Sequence, residues 1–137
     1  MGELTVILER TGTTATLTNI RGHQVTIDRP EANGGSNAGP MGGELFLTSI
    51  GGCFMSTFIA AARARNVDAE DATCKVIGTF ADNPRRFGDI KLEVECDTCP
   101  PDELAHLVLL AERGCLVLNS LRGALTVTVS ATDRLGV

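Results

Sequence analysis

A long apolar run in the middle of the chain, residues 43–66, constrains the fold more than any other feature. Its sequence, GELFLTSIGGCFMSTFIAAARARN, predicts a helix that is apolar on nearly every face, with Cys53 near its centre. A helix of that kind must be covered all round by other parts of the protein. A single chain of 137 residues can hardly supply such cover, so we expect a homodimer whose subunits wrap each other's helices.

The segments on either side of this helix predict strands and two shorter helices. Three short runs, 3–10, 14–20 and 23–29, predict an antiparallel meander, and a loop with five glycines and two prolines follows at 30–43. After the helix, residues 73–97 predict a hairpin with its turn at Asn83-Pro84. Helices are then expected from residue 100 to Gly114, with the stripe Leu104, Leu107, Val108 and Ala111, and over 115–122, before a last strand at 124–133. The chain is therefore predicted to form a single α+β domain over residues 1–137.

The predicted hairpin determines how three of the five cysteines are interpreted. If the hairpin is centred near Arg85, it pairs Cys74 with Cys96, Val76 with Val94, Gly78 with Leu92, and Phe80 with Ile90, all on the inward face. The C-x-x-C at 96–99 is a weak indication of a metal, because structural zinc needs four ligands and the hairpin adds only Cys74. We interpret Cys74 and Cys96 as buried thiols, with Cys99 at the strand end, and expect no metal and no cofactor.

Composition narrows the classes of partner and the compartment. The net charge is −5 and no run of Lys or Arg occurs, so neither nucleic acid nor an anionic membrane surface is an expected partner. The first residues carry glutamates and do not resemble a signal peptide, and polar residues interrupt the apolar helix, so we expect a soluble, cytoplasmic protein. Five cysteines in a cytosolic chain argue against a disulfide framework.

Two cysteines have surroundings that suit redox chemistry. Cys53 follows Gly51-Gly52, which have no side chains, so another backbone or a substrate can approach the sulfur closely. Cys115 follows Gly114, so its thiol can lie at the start of a helix, where free N–H groups favour the thiolate. The alternative is that both are small core residues, because free cysteine is among the most buried residue types. The residues by themselves leave both interpretations open.

Two segments resemble the OsmC/Ohr family of organic hydroperoxide reductases. They are GPMGGELFLTSIGGCF (39–54) and AERGCLVLNSL (111–121), whose cysteines lie 62 positions apart. The resemblance implies an OsmC-like fold, with antiparallel sheets around a long buried central helix, in an intertwined homodimer with active sites at the subunit interface. It implies that Cys53 attacks an organic hydroperoxide and that Cys115 resolves the product as a disulfide. A thiol reductant, in some members a dihydrolipoyl protein, would restore both thiols.

The resemblance is less complete for the groups that support the thiolate. Family members use an arginine and a glutamate ten positions before the cysteine, where this chain has Gly43. Glu44 is nine positions before Cys53, on the opposite face of a straight helix, and resembles the acid of the P-x-E-L pattern in the OsmC-like branch, with Gly42 in place of its proline. Arg29, at the end of the third strand, is similar in place to the family arginine, and Arg21 is a second candidate.

Two functions therefore follow from the sequence. The first is a thiol-dependent peroxidase for oxidative-stress defence, with Cys53, Cys115, Arg29 and Glu44 as its site. The second is a small-molecule-binding OsmC-like protein that lost efficient chemistry with the change at Gly43. Paired cysteines favour the first, and the missing acid favours the second. Arg29 can alternatively be a solvated arginine at a strand end.

Overall fold

The computed structural model describes residues 2–132 and has two three-stranded sheets and three α-helices. This composition confirms the α+β class. The chain forms two compact units, residues 1–46 and residues 47–137. The assignment of one domain to the whole chain stays a prediction.

The first unit contains the expected antiparallel meander. Its strands are β1 (Leu8–Arg10), β2 (Thr16–Ile20) and β3 (His23–Ile27), in the order β1-β2-β3. The first strand is shorter than the apolar run 3–10 that predicted it, and Leu4 and Ile7 in that run are largely exposed. A short 3₁₀ helix, Glu31–Asn33, opens the glycine-rich loop.

The buried carboxylate of Asp28 holds the glycine-rich loop against the end of β3. Its Oδ1 accepts hydrogen bonds from the Thr14 hydroxyl at 2.5 Å and from the Arg29 N–H at 2.7 Å. Its Oδ2 accepts the N–H groups of Ser36 and Ala38 at 3.1 and 3.0 Å. These donors, the Thr14 hydroxyl first, lower the pKa of Asp28 to about 2. The loop is therefore an ordered part of the first unit.

Two glycines let the loop approach the strand closely. A Cβ atom built on Gly35 would lie 2.0 Å from the carbonyl oxygen of Arg29, and one on Gly39 would lie 2.2 Å from that of Thr26. Neither gap admits a side chain without a shift of the backbone. These two glycines are therefore required by close backbone contact.

Helix α1 (Gly42–Ala64) corresponds to the long helix predicted over residues 43–66. It begins in the first unit and continues in the second, and its central place in the fold stays a prediction. Its buried residues form a stripe at four-residue spacing, Ile50, Phe54, Phe58 and Ala62, together with Gly51. Outside the stripe, apolar side chains such as Ile59, 45% exposed, are open in the single chain. The described chain thus covers one side of the helix, and its burial on all sides stays a prediction.

By length and hydropathy, α1 is the one helix among residues 2–132 that could span a bilayer, with 28% of its most apolar window buried. The core helices of soluble proteins meet the same criterion.

The second unit contains a mixed sheet, which corrects the prediction of antiparallel sheets. Strands β4 (Thr73–Ala81) and β5 (Arg86–Glu95) are antiparallel, but β6 (Thr126–Thr132) is parallel to β5. A parallel neighbour requires a crossover connection, which α2 (Pro101–Gly114) and α3 (Leu116–Leu121) provide. Asp133, the last residue of the predicted strand, lies outside the described residues.

The register of the β4–β5 hairpin differs from the predicted one by two residues. The observed partners are Cys74 with Val94, Val76 with Leu92, Gly78 with Ile90, and Phe80 with Phe87. The turn is centred on Asn83-Pro84 and not on Arg85, so that next to the turn the difference is three residues, and the bulge between Thr79 and Phe80 reduces it to two in the rest of the hairpin. A slip of two keeps each side chain on its face, so the central β5 residues are buried as expected. Phe80, however, is 58% exposed, and Cys96 lies beyond the end of β5.

The predicted features of α2 are confirmed. It begins with Pro101 at its first position and acidic residues in its first turn, and it ends at Gly114. Its buried residues are the predicted stripe, Leu104, Leu107, Val108 and Ala111. Cys115 is an extended residue between α2 and α3, with φ −78° and ψ 116°. The crossover therefore bends at this cysteine.

Candidate functional site

The fold brings Cys53 and Cys115 together. Cys53 is half-buried in the middle of α1, and Cys115 is fully buried at the bend between α2 and α3. The Cys115 thiol donates a hydrogen bond to the Cys53 sulfur. Both residues belong to the second unit, so their contact is formed within one compact body. All five cysteines are free thiols in this structure.

The surroundings of Cys53 favour its thiolate. Burial by itself raises the pKa of the Cys53 thiol. Three donors more than offset this effect: the N–H of Val117, the Cys115 thiol and the N–H of Leu116. The pKa of Cys53 is therefore lowered, because hydrogen bonds to a charged sulfur stabilise the charged form. Cys53 is also partly exposed in the single chain, unlike the fully buried Cys115.

The surroundings of Cys115 favour its protonated thiol. Burial raises the pKa of Cys115, and the neighbouring Cys53 sulfur raises it further. The N–H groups of Leu118 and Val117 offset these effects only in part. The expectation that a helix start would favour the thiolate at Cys115 is therefore wrong, because complete burial outweighs the backbone donors. The pair therefore consists of a Cys53 thiol with a lowered pKa and a Cys115 thiol with a raised pKa, which donates to it.

Hydrogen bonds at the α2–α3 bend fix the position of Cys115. The N–H of Asn119 donates to the Cys115 carbonyl at 2.9 Å. The side-chain amide of Asn119 donates to the carbonyl of Arg113 at 3.2 Å. Asn119 thus connects the first turn of α3 to the last turn of α2, so the bend holds its shape.

An apolar groove of about 560 Å³ lies beside the Cys53 segment, between α1 and β4. Its walls include Leu47, Gly52 and Met55 of α1 and Cys74 and Val76 of β4. Gly51 packs closely against β4, since a built Cβ atom would lie 2.7 Å from Cγ2 of Val76. Cys53 is not among the residues that line the groove, because a turn of 100° per residue places it on the opposite face of α1 from Gly51 and Met55.

The other three cysteines have the opposite electrostatic surroundings. Cys96 is buried, and its thiol donates to Asp71 Oδ1 at 3.2 Å. Burial raises the pKa of Cys96, and the carboxylate of Asp71 adds to the increase. Burial, with the neighbouring Cys96 next in importance, raises the pKa of Cys99 to about 11, and burial raises that of Cys74 to about 11. All three are held as protonated thiols.

The predicted residues Arg29 and Glu44 lie in the first unit. The backbone of Arg29 is fixed on both sides, because its N–H donates to Asp28 and its carbonyl accepts the N–H of Asn37 at 3.0 Å. Glu44 Oε1 accepts the N–H of Met41 at 2.9 Å, so this carboxylate caps the start of α1. Their relation to Cys53 stays a prediction. Within residues 2–132, no three His, Cys, Asp or Glu side chains form a cluster suited to a metal ion.

Four residues that contribute to these sites were not predicted from the sequence. The N–H groups of Leu116 and Val117 donate to Cys53. The helix break at Gly114-Cys115 predicted such free N–H groups, but they were expected to stabilise the Cys115 thiolate and not that of Cys53. Asp28 and Asp71 each accept several N–H groups from a following segment. An aspartate directly after a strand and before a glycine-rich loop was the available signal for Asp28.

A family model described as OsmC-like protein matches residues 34–130. No curated protein matches the sequence. Among solved structures, the fold is similar to an osmotic stress induced and detoxification response protein from Psychrobacter arcticus, with a TM-score of 0.82, 19% identity, and coverage of 96% of this chain and 98% of that one. It is similar to an OsmC like protein from Mycoplasma pneumoniae, with a TM-score of 0.81, 18% identity, and coverage of 96% and 97%. It is also similar to an organic hydroperoxide resistance protein from Legionella pneumophila, with a TM-score of 0.73, 19% identity, and coverage of 96% and 99%.

Proposed function

The chain belongs to the OsmC-like protein family, and we propose that it is a thiol-dependent peroxidase that reduces organic hydroperoxides in oxidative-stress defence. The observation that carries the proposal is the contact between the thiols of Cys53 and Cys115, with two backbone N–H groups on the Cys53 sulfur. A partly exposed thiol with a lowered pKa beside a buried thiol is the arrangement that a two-cysteine peroxidase needs. The name of the Legionella pneumophila relative, an organic hydroperoxide resistance protein, suggests the substrate class.

In the first step of the proposed reaction, the Cys53 thiolate attacks the terminal oxygen of the hydroperoxide. A sulfur–oxygen bond forms, the O–O bond breaks, and the alkoxide takes a proton and leaves as an alcohol. The sulfur is oxidised to a sulfenic acid, and the peroxide is reduced.

In the second step, the sulfur of Cys115 attacks the sulfenic acid. The disulfide bond forms, the sulfur–oxygen bond breaks, and the oxygen leaves as water with the Cys115 proton. The hydrogen bond between the two thiols supports this step, because it brings the reacting sulfur atoms together beforehand. A dithiol reductant, such as a dihydrolipoyl protein, would then reduce the disulfide by exchange and release both thiols.

Arg29 and Glu44 are proposed, from the family resemblance, as the cation and the acid that support the Cys53 thiolate. The effect of substituting Arg29 on the Cys53 thiolate is measured from the pH profile of Cys53 alkylation. If Arg29→Ala leaves that profile unchanged, the arginine has no role in the thiolate. Arg29→Lys is the matched control, because it retains the positive charge but not the forked donor geometry.

We propose that the active form is a cytoplasmic homodimer. The motivation is the apolar surface of α1 that remains open in one chain, including Ile59. Light scattering at micromolar concentration is expected to give twice the mass of the 14.4 kDa chain. A folded monomer under those conditions would contradict this part of the proposal.

The test of the activity is thiol mass spectrometry after one equivalent of cumene hydroperoxide. The expected product is a single intramolecular disulfide between Cys53 and Cys115, with Cys74, Cys96 and Cys99 still reduced. Cys115→Ser should stop after one turnover, at a Cys53 sulfenic acid that dimedone traps. If the wild type consumes no peroxide but binds the hydroperoxide or its alcohol, the chain is the non-catalytic binder that the missing acid at Gly43 suggested.

A further inference from the structure

Gly114, the residue before Cys115, lies against the side chain of Thr57. A Cβ atom built on Gly114 would lie 3.2 Å from Cγ2 of Thr57, closer than ordinary van der Waals contact. Gly114 is the last residue of α2 and does not have the left-handed backbone conformation that would itself require glycine. The reason for glycine here is therefore the space between α1 and the end of α2.

Each side of this contact is connected directly to one of the two thiols. Thr57 lies one turn after Cys53, and its hydroxyl donates to the Cys53 carbonyl at 3.1 Å. Gly114 is bonded to Cys115, and Asn119 connects the bend at Cys115 to the first turn of α3. The contact between Thr57 and Gly114 thus lies between the two segments that carry Cys53 and Cys115.

We propose that Gly114 and Thr57 are positioning residues, whose contact holds the Cys115 thiol and the N–H groups of α3 in place on the Cys53 sulfur. This inference rests on the proposed function and names the packing on which the site depends. Neither side chain touches the sulfur atoms in this role. A Cβ atom at position 114 would push the α2–α3 bend away from α1 by a few tenths of an ångström. Such a shift weakens the hydrogen bonds to Cys53 and increases the distance between the two sulfur atoms that form the disulfide.

The test is a rescue experiment on three variants. Gly114→Ala is expected to slow formation of the Cys53–Cys115 disulfide by about 3- to 10-fold and to move the pH profile of Cys53 alkylation to higher pH. Thr57→Ser removes the crowding methyl group and keeps the hydroxyl, so by itself it should change little. The double variant should recover the wild-type rate and profile, because the new methyl group takes the vacated space.

The matched control is Gly42→Ala, which makes the same substitution in α1 at a position where a built Cβ atom meets nothing within 4 Å. It should behave as the wild type. If Gly114→Ala also behaves as the wild type, or if the double variant shows no recovery while its melting temperature stays normal, the inference is wrong.

Disulfide formation is measured in a glutathione redox buffer as well as with peroxide. In the buffer, the reaction tests the positions of the two thiols without requiring peroxidase activity. A wild type that forms the disulfide in the buffer but consumes no peroxide would refute the proposed function and leave the positioning role standing. A Gly114→Ala variant with wild-type behaviour in both assays would refute the positioning role alone.

Discussion

The second unit contains two pairs of contacting thiols, and they differ in the polar groups that surround them. The Cys53 sulfur accepts backbone N–H groups from Leu116 and Val117, which stabilise negative charge. The Cys96 thiol, which contacts Cys99, instead donates to the carboxylate of Asp71. Contact between two thiols is therefore common to both pairs, but only the first pair has surroundings that support a thiolate.

Solvent exposure also distinguishes the two pairs, and it too favours reaction at Cys53. Cys53 is half-buried, whereas Cys96 and Cys99 are 1% and 4% exposed. Cys99 also contacts a carbonyl, since its thiol donates to the Pro100 oxygen at 3.6 Å. A C-x-x-C motif is therefore not sufficient to identify the reactive dithiol of a chain, because reactivity depends on the thiol pKa and on exposure. The two cysteines that lie 62 positions apart include the thiol with the lowered pKa and the greater exposure.

The largest expected difference between the two pairs is in peroxide consumption. Cys53→Ser should lower the rate at least about 1,000-fold, because the attacking sulfur is lost. Cys96→Ser keeps a donor for Asp71 and should leave the rate within about 2-fold of the wild type. Consumption of cumene hydroperoxide in the presence of a dithiol measures both. A large loss in Cys96→Ser with normal thermal stability would move the redox centre to the second pair.

The next effect is the difference in alkylation rate between Cys53 and Cys99 in the wild type. Burial and neighbouring negative groups raise the pKa of Cys99 to about 11, whereas the pKa of Cys53 is lowered. At pH 7 the thiolate fraction at Cys53 should exceed that at Cys99 by at least about 100-fold. Time-resolved labelling with iodoacetamide, read by peptide mass spectrometry, gives the ratio. Similar rates in the native protein would remove the contrast between the pairs.

A smaller effect is expected when the donor thiol at Cys115 is removed. Cys115→Ala deletes one hydrogen bond to the Cys53 thiolate, so the pKa of Cys53 should rise and its alkylation profile should move to higher pH. Since a hydrogen bond contributes roughly 0.5–1.5 kcal/mol, the alkylation rate at pH 7 should fall by about 2- to 12-fold. Cys115→Ser is the control that keeps a donor. A profile that moves to lower pH in Cys115→Ala would show that the neighbouring sulfur does not support the thiolate.

The smallest effect is expected on the free energy of unfolding at low pH, the acid limb of its pH profile. Hydrogen bonds, first from the Thr98 hydroxyl, lower the pKa of Asp71, so its ionised form stabilises the folded state. That contribution is complete above the ordinary aspartate pKa and is lost as the pH falls below it. Asp71→Asn should therefore flatten the loss of stability below about pH 4. Acid unfolding followed by circular dichroism measures this, with Asp97→Asn as the control on an exposed neighbour. An unchanged acid limb would contradict the role of Asp71.

Features with a local period were predictable from the sequence. The stripe of α2, the span of α1 and the turn at Asn83-Pro84 all follow from spacing within about 20 residues. The pairing of Cys53 with Cys115 was available only through the resemblance to a family. No periodicity relates two residues that far apart in the chain.

The features that were missed depend on contacts between distant segments or on the backbone. The hairpin register was wrong because the pairing is centred on Asn83-Pro84 and not on Arg85. The bulge between Thr79 and Phe80 changes the register again, and a bulge has no reliable residue signature. The parallel pairing of β6 depends on where the crossover helices return the chain. The N–H groups that support Cys53 exist in every residue type except proline, so the side chains of Leu116 and Val117 give no indication of them.

The parallel pairing of β6 with β5 has a consequence for the order in which the molecule matures. The segment that carries the donors to Cys53 is the connection between these strands, and its closure is a long-range event, which is slow in folding. During synthesis, α1 emerges well before this connection is complete. Until then, Cys53 lacks its donors, and its pKa is nearer the ordinary value of a cysteine thiol. The lowered pKa of Cys53 is thus a property of a chain whose last strand is in place.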